Sequence, residues 1–168
     1  MSAGEVRPGD DGAGLRIAIV AAQWNETIVR RLVDGACTTL AARGVAAADV
    51  EVWWVPGSFE LPSAAALAAR RGRATPGATP GAGAFHAVVA LGCVIRGETE
   101  HFRLVADAAA QGLLRVSLDT RVPVLNGVLA VDDVAQAEAR SGGHSNAGAQ
   151  AALAAIRMAN LMRTEGAR

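Results

Sequence analysis

The sequence predicts an α/β protein in which a parallel β-sheet is covered by helices on both faces. Three observations support this fold class. Short apolar runs alternate along the chain with longer stretches that have the periodicity of amphipathic helices. Hairpin signals do not join the apolar runs, so successive strands are expected to be parallel and buried on both sides. A chain of 168 residues, 51% of them hydrophobic, suits one domain with a core of its own.

Four apolar runs are predicted to form the strands, at residues 15–21, 50–55, 86–91 and 122–125. Each is short and bounded by turn residues or by a helical stretch, as buried strands usually are. Pro56 and Gly57 end the second strand, because proline cannot donate a ladder hydrogen bond. Asn126 and Gly127, a pair typical of turns, are expected to end the fourth.

Five helices are predicted between and after these strands, at residues 26–43, 60–71, 100–118, 132–139 and 147–162. In the first of them Ile28, Leu32 and Leu40 fall on one stripe, which is expected to face the sheet. Gly44 follows at the point where a helix C-terminus is expected.

The domain organisation is predicted from composition. Residues 1–14 are polar and Gly-rich and are expected to be a flexible segment, followed by a single domain over residues 15–168. Residues 74–81 contain Ala-Thr-Pro-Gly twice, which indicates a surface loop because proline and glycine oppose regular structure. This loop is interpreted as an insertion spanning residues 73–84.

Composition and charge narrow the possible functions. The chain contains no lysine, which excludes a Schiff base between a protein amine and a carbonyl substrate. Basic and acidic side chains balance at 16 each, so neither nucleic acid nor a membrane surface is an expected partner. No apolar run approaches the ~20 residues of a membrane span, and the N-terminal segment lacks the apolar run of a signal peptide. A cytoplasmic location is therefore expected.

Cys37 and Cys93 lie in apolar surroundings and are expected to be buried, unpaired thiols in a reducing compartment. Neither forms a metal-ligand pattern with His86, His101 or His144, so no metal site is predicted. His86 opens a strand and His144 lies in a Gly/Ser loop, and neither is expected to be catalytic. No dinucleotide or P-loop motif is present, so a nucleotide cofactor is not predicted either.

Polar and aromatic side chains follow all four predicted strands. In a parallel α/β sheet ligands bind beyond the carboxyl ends of the strands, so these side chains are expected to share one edge. The predicted strand exits are Gln23-Trp24-Asn25, residues 56–60, residues 97–101 and Asn126-Gly127. The sequence therefore predicts a small-molecule site at this edge of the sheet.

The segment Gly97-Glu98-Thr99-Glu100-His101 is the strongest candidate for the chemical centre. Gly97 leaves a strand, and Thr99 can cap the next helix, whose free N–H groups could hold an anion. An ordinary capped helix start is the alternative. Glu98 and Glu100 would repel a phosphate unless they point away or pair with arginine. The His101 imidazole could take and give a proton, although a lone histidine is more often structural.

Other side chains at this edge each have two interpretations. Trp24 and Phe59 follow strands and could either sandwich a flat heterocycle or cap the core. Glu60 begins a helix, where the dipole alone favours a carboxylate, but it could also accept hydrogen bonds from substrate hydroxyls. Arg140, at the end of a short helix, could interact with the helix C-terminus or bind a phosphate with two parallel hydrogen bonds.

Taken together, these segments resemble the 6,7-dimethyl-8-ribityllumazine synthase family over residues 15–163. The most specific matches are Val-Pro-Gly-Ser-Phe-Glu-Leu-Pro at 55–62 and Ala-Leu-Gly-Cys-Val-Ile-Arg-Gly-Glu-Thr-Glu-His-Phe at 90–102. Shorter matches occur in the same order at 126–129 and 155–161. The resemblance implies a flavodoxin-like, three-layer α/β/α sandwich around the four-stranded parallel sheet.

The resemblance also implies a transferase of riboflavin biosynthesis. The family condenses 5-amino-6-(D-ribitylamino)uracil with 3,4-dihydroxy-2-butanone 4-phosphate to give 6,7-dimethyl-8-ribityllumazine, phosphate and water. The nucleophile is the amine of the substrate, in keeping with a chain that has no lysine. No cofactor is implied.

Residue roles follow from the same resemblance. Nine positions would bind the substrates: Trp24, Ser58, Phe59, Glu60, Gly97, Glu98, Thr99, Asn126 and Arg140. Trp24 would contact the pyrimidine ring, Glu60 the ribityl hydroxyls, and residues 97–99 the phosphate. His101 would transfer a proton, and Arg140 of a neighbouring subunit would bind the phosphate. The other three would line the ribityl and ring pocket.

The family further implies a homopentamer with active sites between subunits, which in some members assembles into a decamer or an icosahedral 60-mer. This chain departs from many members at Ala147, where they carry lysine, and its loop from Gly142 to Gly148 is one residue shorter. Two other functions fit the same residues, a non-catalytic lumazine- or riboflavin-binding protein and a mainly structural shell protein. His101 and Arg140 favour the enzyme, because flavin binding needs neither.

Overall fold

The computed structural model describes residues 6–73 and 81–166. Within them, four parallel strands lie between two layers of helices, which confirms the predicted three-layer α/β/α sandwich. The strands are β1 (Ile17–Ala22), β2 (Val50–Val55), β3 (Ala87–Ile95) and β4 (Val124–Val131). The helices are α1 (Glu26–Ala42), α2 (Leu61–Arg70), α3 (His101–Thr120), α4 (Val134–Ser141) and α5 (Ala147–Gly166).

The strand order across the sheet is β2-β1-β3-β4, and every pairing between neighbours is parallel. Ile17 of β1 is in register with Val50 on one side and with Ala87 on the other. The chain therefore adds β2 to one side of β1 and then β3 and β4 to the other. This is the flavodoxin-type order, and its topological switch point lies between the carboxyl ends of β1 and β3.

The central strand β1 shows why the sheet needs two helical layers. All six of its residues are buried, so its side chains alternate between two apolar faces. Ile17 and Ile19 belong to a core cluster that includes buried residues of α1, α4 and α5. Ala18 and Val20 belong to a second cluster, with residues of α2 and α3. Full burial of one such branched side chain contributes about 1.5–3 kcal/mol.

The predicted end of the third strand was wrong by four residues, because β3 continues past Leu91 to Ile95. Gly92 lies inside the strand, where an added Cβ would be 2.5 Å from Ser58 Oγ. The glycine at this position therefore makes room for a neighbouring side chain and does not mark the end of the strand.

The predicted end of the fourth strand was also wrong. Asn126 and Gly127 lie within β4, in register with Ala90 and Leu91 of β3. Asn126 is exposed, and its Oδ1 accepts a hydrogen bond from the backbone N–H of Val128 at 3.0 Å. Gly127 is buried, and a Cβ there would be 2.6 Å from Leu91 Cδ2. An exposed edge-strand position and a close packing contact thus explain two residues that were interpreted as a turn.

The predicted N-terminal segment contacts the domain in its described part. Asp10 forms ion pairs with Arg157 of α5 and with Arg43 just after α1. Asn160 donates hydrogen bonds from its Nδ2 to the backbone carbonyls of Gly9 and Asp11. The domain boundary at residue 14 and the 73–84 insertion stay predictions, and most of the Ala-Thr-Pro-Gly repeat lies outside the described residues.

Candidate active site

A cleft of about 620 Å³ opens at the carboxyl edge of the sheet, where the exits of β1, β2 and β3 meet. The residues that line it come from these three exits and from the first turns of α3: Trp24, Asn25, Gly57, Ser58, Phe59, Glu60, Cys93, Val94, Ile95, Gly97, Thr99, His101, Phe102 and Val105. The volume is in the usual range for a small-molecule site, and the position is the one expected at a switch point.

Seven of the ten predicted site residues line this cleft: Trp24, Ser58, Phe59, Glu60, Gly97, Thr99 and His101. Glu98, Asn126 and Arg140 are not among the lining residues. Asn126 lies within β4 and not at its exit, and Arg140 is exposed in the last turn of α4. The structure therefore brings together the predicted residues of three strand exits, and the fourth predicted exit does not contribute.

The two aromatic side chains of the cleft are exposed. Trp24 and Phe59 have 73% and 60% of their surface accessible, so the alternative that they cap the core is wrong. Trp24 lies close to the backbone of Gly57, where an added Cβ would be 3.2 Å from its Cδ1 and 3.1 Å from Glu60 Oε2. An exposed indole and a carboxylate thus stand side by side, which suits a flat ring with a hydroxylated substituent.

Ser58 has an unsatisfied polar atom next to the cleft. Only 4% of the residue is exposed, and its Oγ has no hydrogen-bond partner among the described residues. It lies in the short 3-10 turn Ser58–Glu60 between β2 and α2. A buried hydroxyl without a partner costs about 1–3 kcal/mol, so a ligand group that bonds to it would gain that energy on binding.

The start of α3 combines a histidine with nearby positive charge. His101 is exposed, is the first residue of the helix, and donates its backbone N–H to Thr99 Oγ1 over a long 3.4 Å. The Glu100 carboxylate lies 3.6 Å from Arg103 Nε, so one of the two flanking acids is partly offset. The guanidiniums of Arg96 and Arg103 lie 5.5 and 6.0 Å from the centre of the Phe102 ring. The positive end of the α3 dipole favours an anion here, although Arg96 is also paired with an acid, Asp132, at 3.4 Å.

Arg140 and the two histidines that were not expected to be catalytic lie outside the cleft lining. Arg140 Nη1 donates to the carbonyl of Gln136 at 3.2 Å, which agrees with its interpretation as a helix C-terminal partner and leaves the phosphate interpretation open. His86 accepts the backbone N–H of Arg16 at its Nδ1, 2.9 Å away. His144 is exposed. No group of three or more metal-ligating side chains occurs in the part of the chain that the structure describes.

Cys93 is buried in the cleft wall, as predicted, whereas Cys37 is only partly buried, and both are free thiols. Burial raises the pKa of the Cys93 thiol to about 11. The thiol is therefore protonated at neutral pH and is a poor nucleophile, although it borders the cleft.

Two kinds of cleft residue were missed by reasoning from the sequence. Val94 and Ile95 form apolar wall because β3 is longer than predicted. Asn25 was placed at a strand exit but given no role, yet its Nδ2 donates to the carbonyl of Cys93 at 2.9 Å. Its left-handed backbone, with φ 57°, is a conformation that asparagine adopts more readily than most residues. An asparagine between a buried strand and a helix is the signal that could have drawn attention to it.

The sheet order and the cleft define the class of protein: a doubly wound α/β protein that binds a small molecule at its switch point. The family model described as 6,7-dimethyl-8-ribityllumazine synthase matches residues 14–163.

Curated relatives agree with this match. The 6,7-dimethyl-8-ribityllumazine synthase of Stenotrophomonas maltophilia strain K279a is 51% identical over 149 residues, 88% of each chain. That of Xylella fastidiosa strain 9a5c is 46% identical over 160 residues, 95% of this chain and 94% of the relative. The chain belongs to the 6,7-dimethyl-8-ribityllumazine synthase family, whose members are transferases of riboflavin biosynthesis. Within the described residues no helix is long and apolar enough to cross a membrane.

Proposed function

We propose that this chain condenses 5-amino-6-(D-ribitylamino)uracil with 3,4-dihydroxy-2-butanone 4-phosphate at the cleft of the carboxyl edge, releasing 6,7-dimethyl-8-ribityllumazine, phosphate and water. One observation carries the proposal: the cleft unites two exposed aromatic rings, a carboxylate, a histidine and a serine hydroxyl that has no partner among the described residues. Family membership supplies the reaction for which such a set of groups is suited.

The pyrimidine substrate is assigned to the side of the cleft formed by the exits of β1 and β2. In this proposal Trp24 and Phe59 contact the heterocycle, which offers them a flat apolar face. Glu60 and Ser58 receive the ribityl hydroxyls, and the buried Ser58 Oγ gains the partner that it lacks among the described residues. Asn126 is assigned to the same pocket by resemblance alone, because it lies within β4 and does not line the cleft.

The phosphate of the second substrate is assigned to the start of α3. Gly97 and Thr99 line the cleft there, and the backbone N–H of Glu98, which lies between them in the sequence, is assigned to the same anion. Arg140 is assigned to the same phosphate in the cleft of a neighbouring subunit. Its exposed position away from the cleft of its own chain supports this assignment, since an arginine in another subunit can complete the site.

Catalysis in this proposal depends mainly on holding two reactive substrates together. Well-aligned partners gain about 7–11 kcal/mol, whereas general acid–base help is worth 10²–10⁴-fold, or about 3–5 kcal/mol. His101 supplies the proton transfer. The substrate amine is the nucleophile, because the chain has no lysine and the Cys93 thiol is protonated at neutral pH.

The proposed assembly is a homopentamer, with a decamer or a 60-mer shell as the larger alternatives. The exposed surface of α3 supports an assembly, because Leu104, Leu114 and Leu118 are each more than 60% accessible. Exposed leucines along one helix are costly unless another surface covers them. A cytoplasmic location is part of the proposal and is supported by the two free thiols.

The proposal is tested by mixing the purified protein with both substrates and following lumazine absorbance and phosphate release together. We expect both products to form faster than in the spontaneous condensation and in a fixed ratio. A rate equal to the spontaneous one would reject the enzyme. If lumazine then still bound tightly, the non-catalytic binding protein would be the correct function.

A further inference from the structure

We propose that Asn25 is a positioning residue that fixes Trp24 at the pyrimidine side of the cleft by tying the exit of β1 to β3. The inference rests on the proposed function for its substrate, but the contacts that suggest it do not. Asn25 lines the cleft, adopts a left-handed backbone and donates its Nδ2 to the carbonyl of Cys93 at 2.9 Å.

The Asn25–Cys93 hydrogen bond joins the two strands at the place where their backbones separate. The ladder between β1 and β3 has its last paired residues at Ala21 and Leu91. Beyond that pair the strand exits diverge to form the crevice at the switch point. The Asn25 side chain reaches across this crevice. Its hydrogen bond therefore links β1 and β3 where their backbones no longer pair.

The other side of the same segment is held by β2. Gln23 donates its backbone N–H to the carbonyl of Val55 at 2.8 Å, and Trp24 donates to Pro56 at 3.2 Å. Residues 23–25 are thus attached to β2 by their backbone and to β3 by one amide side chain. Trp24 carries one of the backbone attachments and directly precedes Asn25, and 73% of its surface is exposed, so its place depends on this segment and little on core packing.

Helix capping does not explain the side chain of Asn25. An asparagine at this position usually accepts a hydrogen bond from an N–H of the first helical turn through its Oδ1. No such bond occurs here, and the backbone carbonyl of Asn25 receives the N–H groups of Ile28 and Val29 instead. Glycine could supply the same carbonyl and the same left-handed backbone. The property that glycine lacks is the amide that reaches Cys93.

Two variants distinguish the effect of the Asn25 amide from the effect of its left-handed backbone. Asn25→Gly keeps the left-handed backbone without strain and removes the amide donor. Asn25→Asp keeps the size of the side chain and replaces the donor by a carboxylate that would face the Cys93 carbonyl. Arg121→Gly is the matched control, because Arg121 also has a left-handed backbone, with φ 56°, and lies at the opposite edge of the sheet after α3.

We expect both Asn25 variants to raise the KM for the ribitylaminouracil substrate roughly three- to tenfold, the weight of one hydrogen bond. The KM for the phosphate substrate should change by less than about twofold, and Arg121→Gly should leave both constants unchanged. In equilibrium binding, both Asn25 variants should bind the lumazine product more weakly than the native protein does, and Arg121→Gly should bind it with native affinity. This binding tests Asn25 even if the native protein does not catalyse the condensation, so the two hypotheses can fail separately.

Three results would overturn the inference. The first is native-like lumazine affinity in both Asn25 variants. The second is an equal rise in the KM for both substrates, which would indicate a general loss of structure. The third is a failure of both variants to fold while Arg121→Gly folds, because Asn25 would then be required for the sheet and not for the placement of Trp24.

Discussion

At the scale of single residues, His101 is the side chain of the cleft best suited to carry a proton during the reaction. It lies at the exposed start of α3, while the Cys93 thiol nearby stays protonated because burial raises its pKa to about 11. An exposed imidazole is in contact with water. When the imidazole is removed by mutation, water can take over part of the proton transfer. The contribution of His101 should therefore lie at or below the low end of general acid–base catalysis.

We accordingly expect His101→Ala to lower kcat by about 10- to 100-fold and to leave activity above the spontaneous rate. The KM values should change little. His144→Ala is the matched control, because His144 is an exposed histidine that does not line the cleft. An unchanged rate for His101→Ala at saturating substrate would show that the assigned proton transfer is wrong.

His86 has a structural role that depends on pH. Its Nδ1 accepts the backbone N–H of Arg16, and an imidazolium could not accept it. Burial, and then the guanidiniums of Arg163 and Arg73, lower the pKa of His86 below its ordinary 6.5, and the Asp49 carboxylate opposes them only in part. The unfolded chain therefore binds a proton at a higher pH than the folded protein does, and acid favours unfolding.

We expect the free energy of unfolding to fall as the pH is lowered from about 6.5 towards the depressed pKa of His86. His86→Gln keeps an acceptor oxygen and cannot titrate, so its stability should vary less over the same interval. Urea unfolding at a fixed protein concentration measures both. The same pH dependence in the variant and in the native protein would assign the effect to other groups.

At the scale of elements, the sequence predicts the positions of β1 and β2 better than the ends of β3 and β4. The strands β1 and β2 are found close to their predicted positions, because a buried strand between clear turn residues has few alternatives. The end of β4 was wrong because Asn126 and Gly127 have other reasons to be present, as an exposed edge residue and as a site of close packing. Local composition does not distinguish these reasons from a turn.

The packing of α5 on α1 depends on Gly148, in the first turn of α5. An added Cβ there would overlap the backbone carbonyl of Leu32, and a carbonyl in a helix cannot move aside as a side chain can. We expect Gly148→Ala to lower the free energy of unfolding by about 2–3 kcal/mol, despite the better helix propensity of alanine. Gly142→Ala is the control, because a Cβ there has its nearest contact at 3.7 Å. Thermal unfolding of both variants at one protein concentration measures the difference, and equal melting temperatures would contradict this packing argument.

At the scale of the whole molecule, the sequence predicts ten site residues, of which one folded chain brings seven together. The exits of three strands supply seven predicted residues to one cleft, because the ends of parallel strands meet at one edge of the sheet. Asn25 was not given a role, since a hydrogen bond across the switch point depends on strand order and not on local sequence. The proposed function of Arg140 requires a second chain, which no contact within one chain can reveal.

Arg140 should act on the phosphate substrate alone. We expect Arg140→Ala to raise the KM for this substrate, the dihydroxybutanone phosphate, by about 10- to 100-fold, as the loss of a charge-assisted hydrogen bond worth ~1.5–3 kcal/mol predicts. The KM for the pyrimidine should stay within about twofold. Steady-state kinetics with each substrate varied in turn measures both values, and an equal effect on the two would contradict the assignment.

In the proposed function, the condensation occurs in a cleft that Arg140 of another subunit completes. The most direct test is to reassemble mixed particles from equal amounts of His101→Ala and Arg140→Ala subunits and to measure lumazine formation at limiting phosphate substrate. Random mixing gives about a quarter of the interfaces an intact cleft beside an intact Arg140. We therefore expect an activity above the mean of the two separate variants. Activity equal to that mean, in particles shown to be mixed, would contradict a shared site.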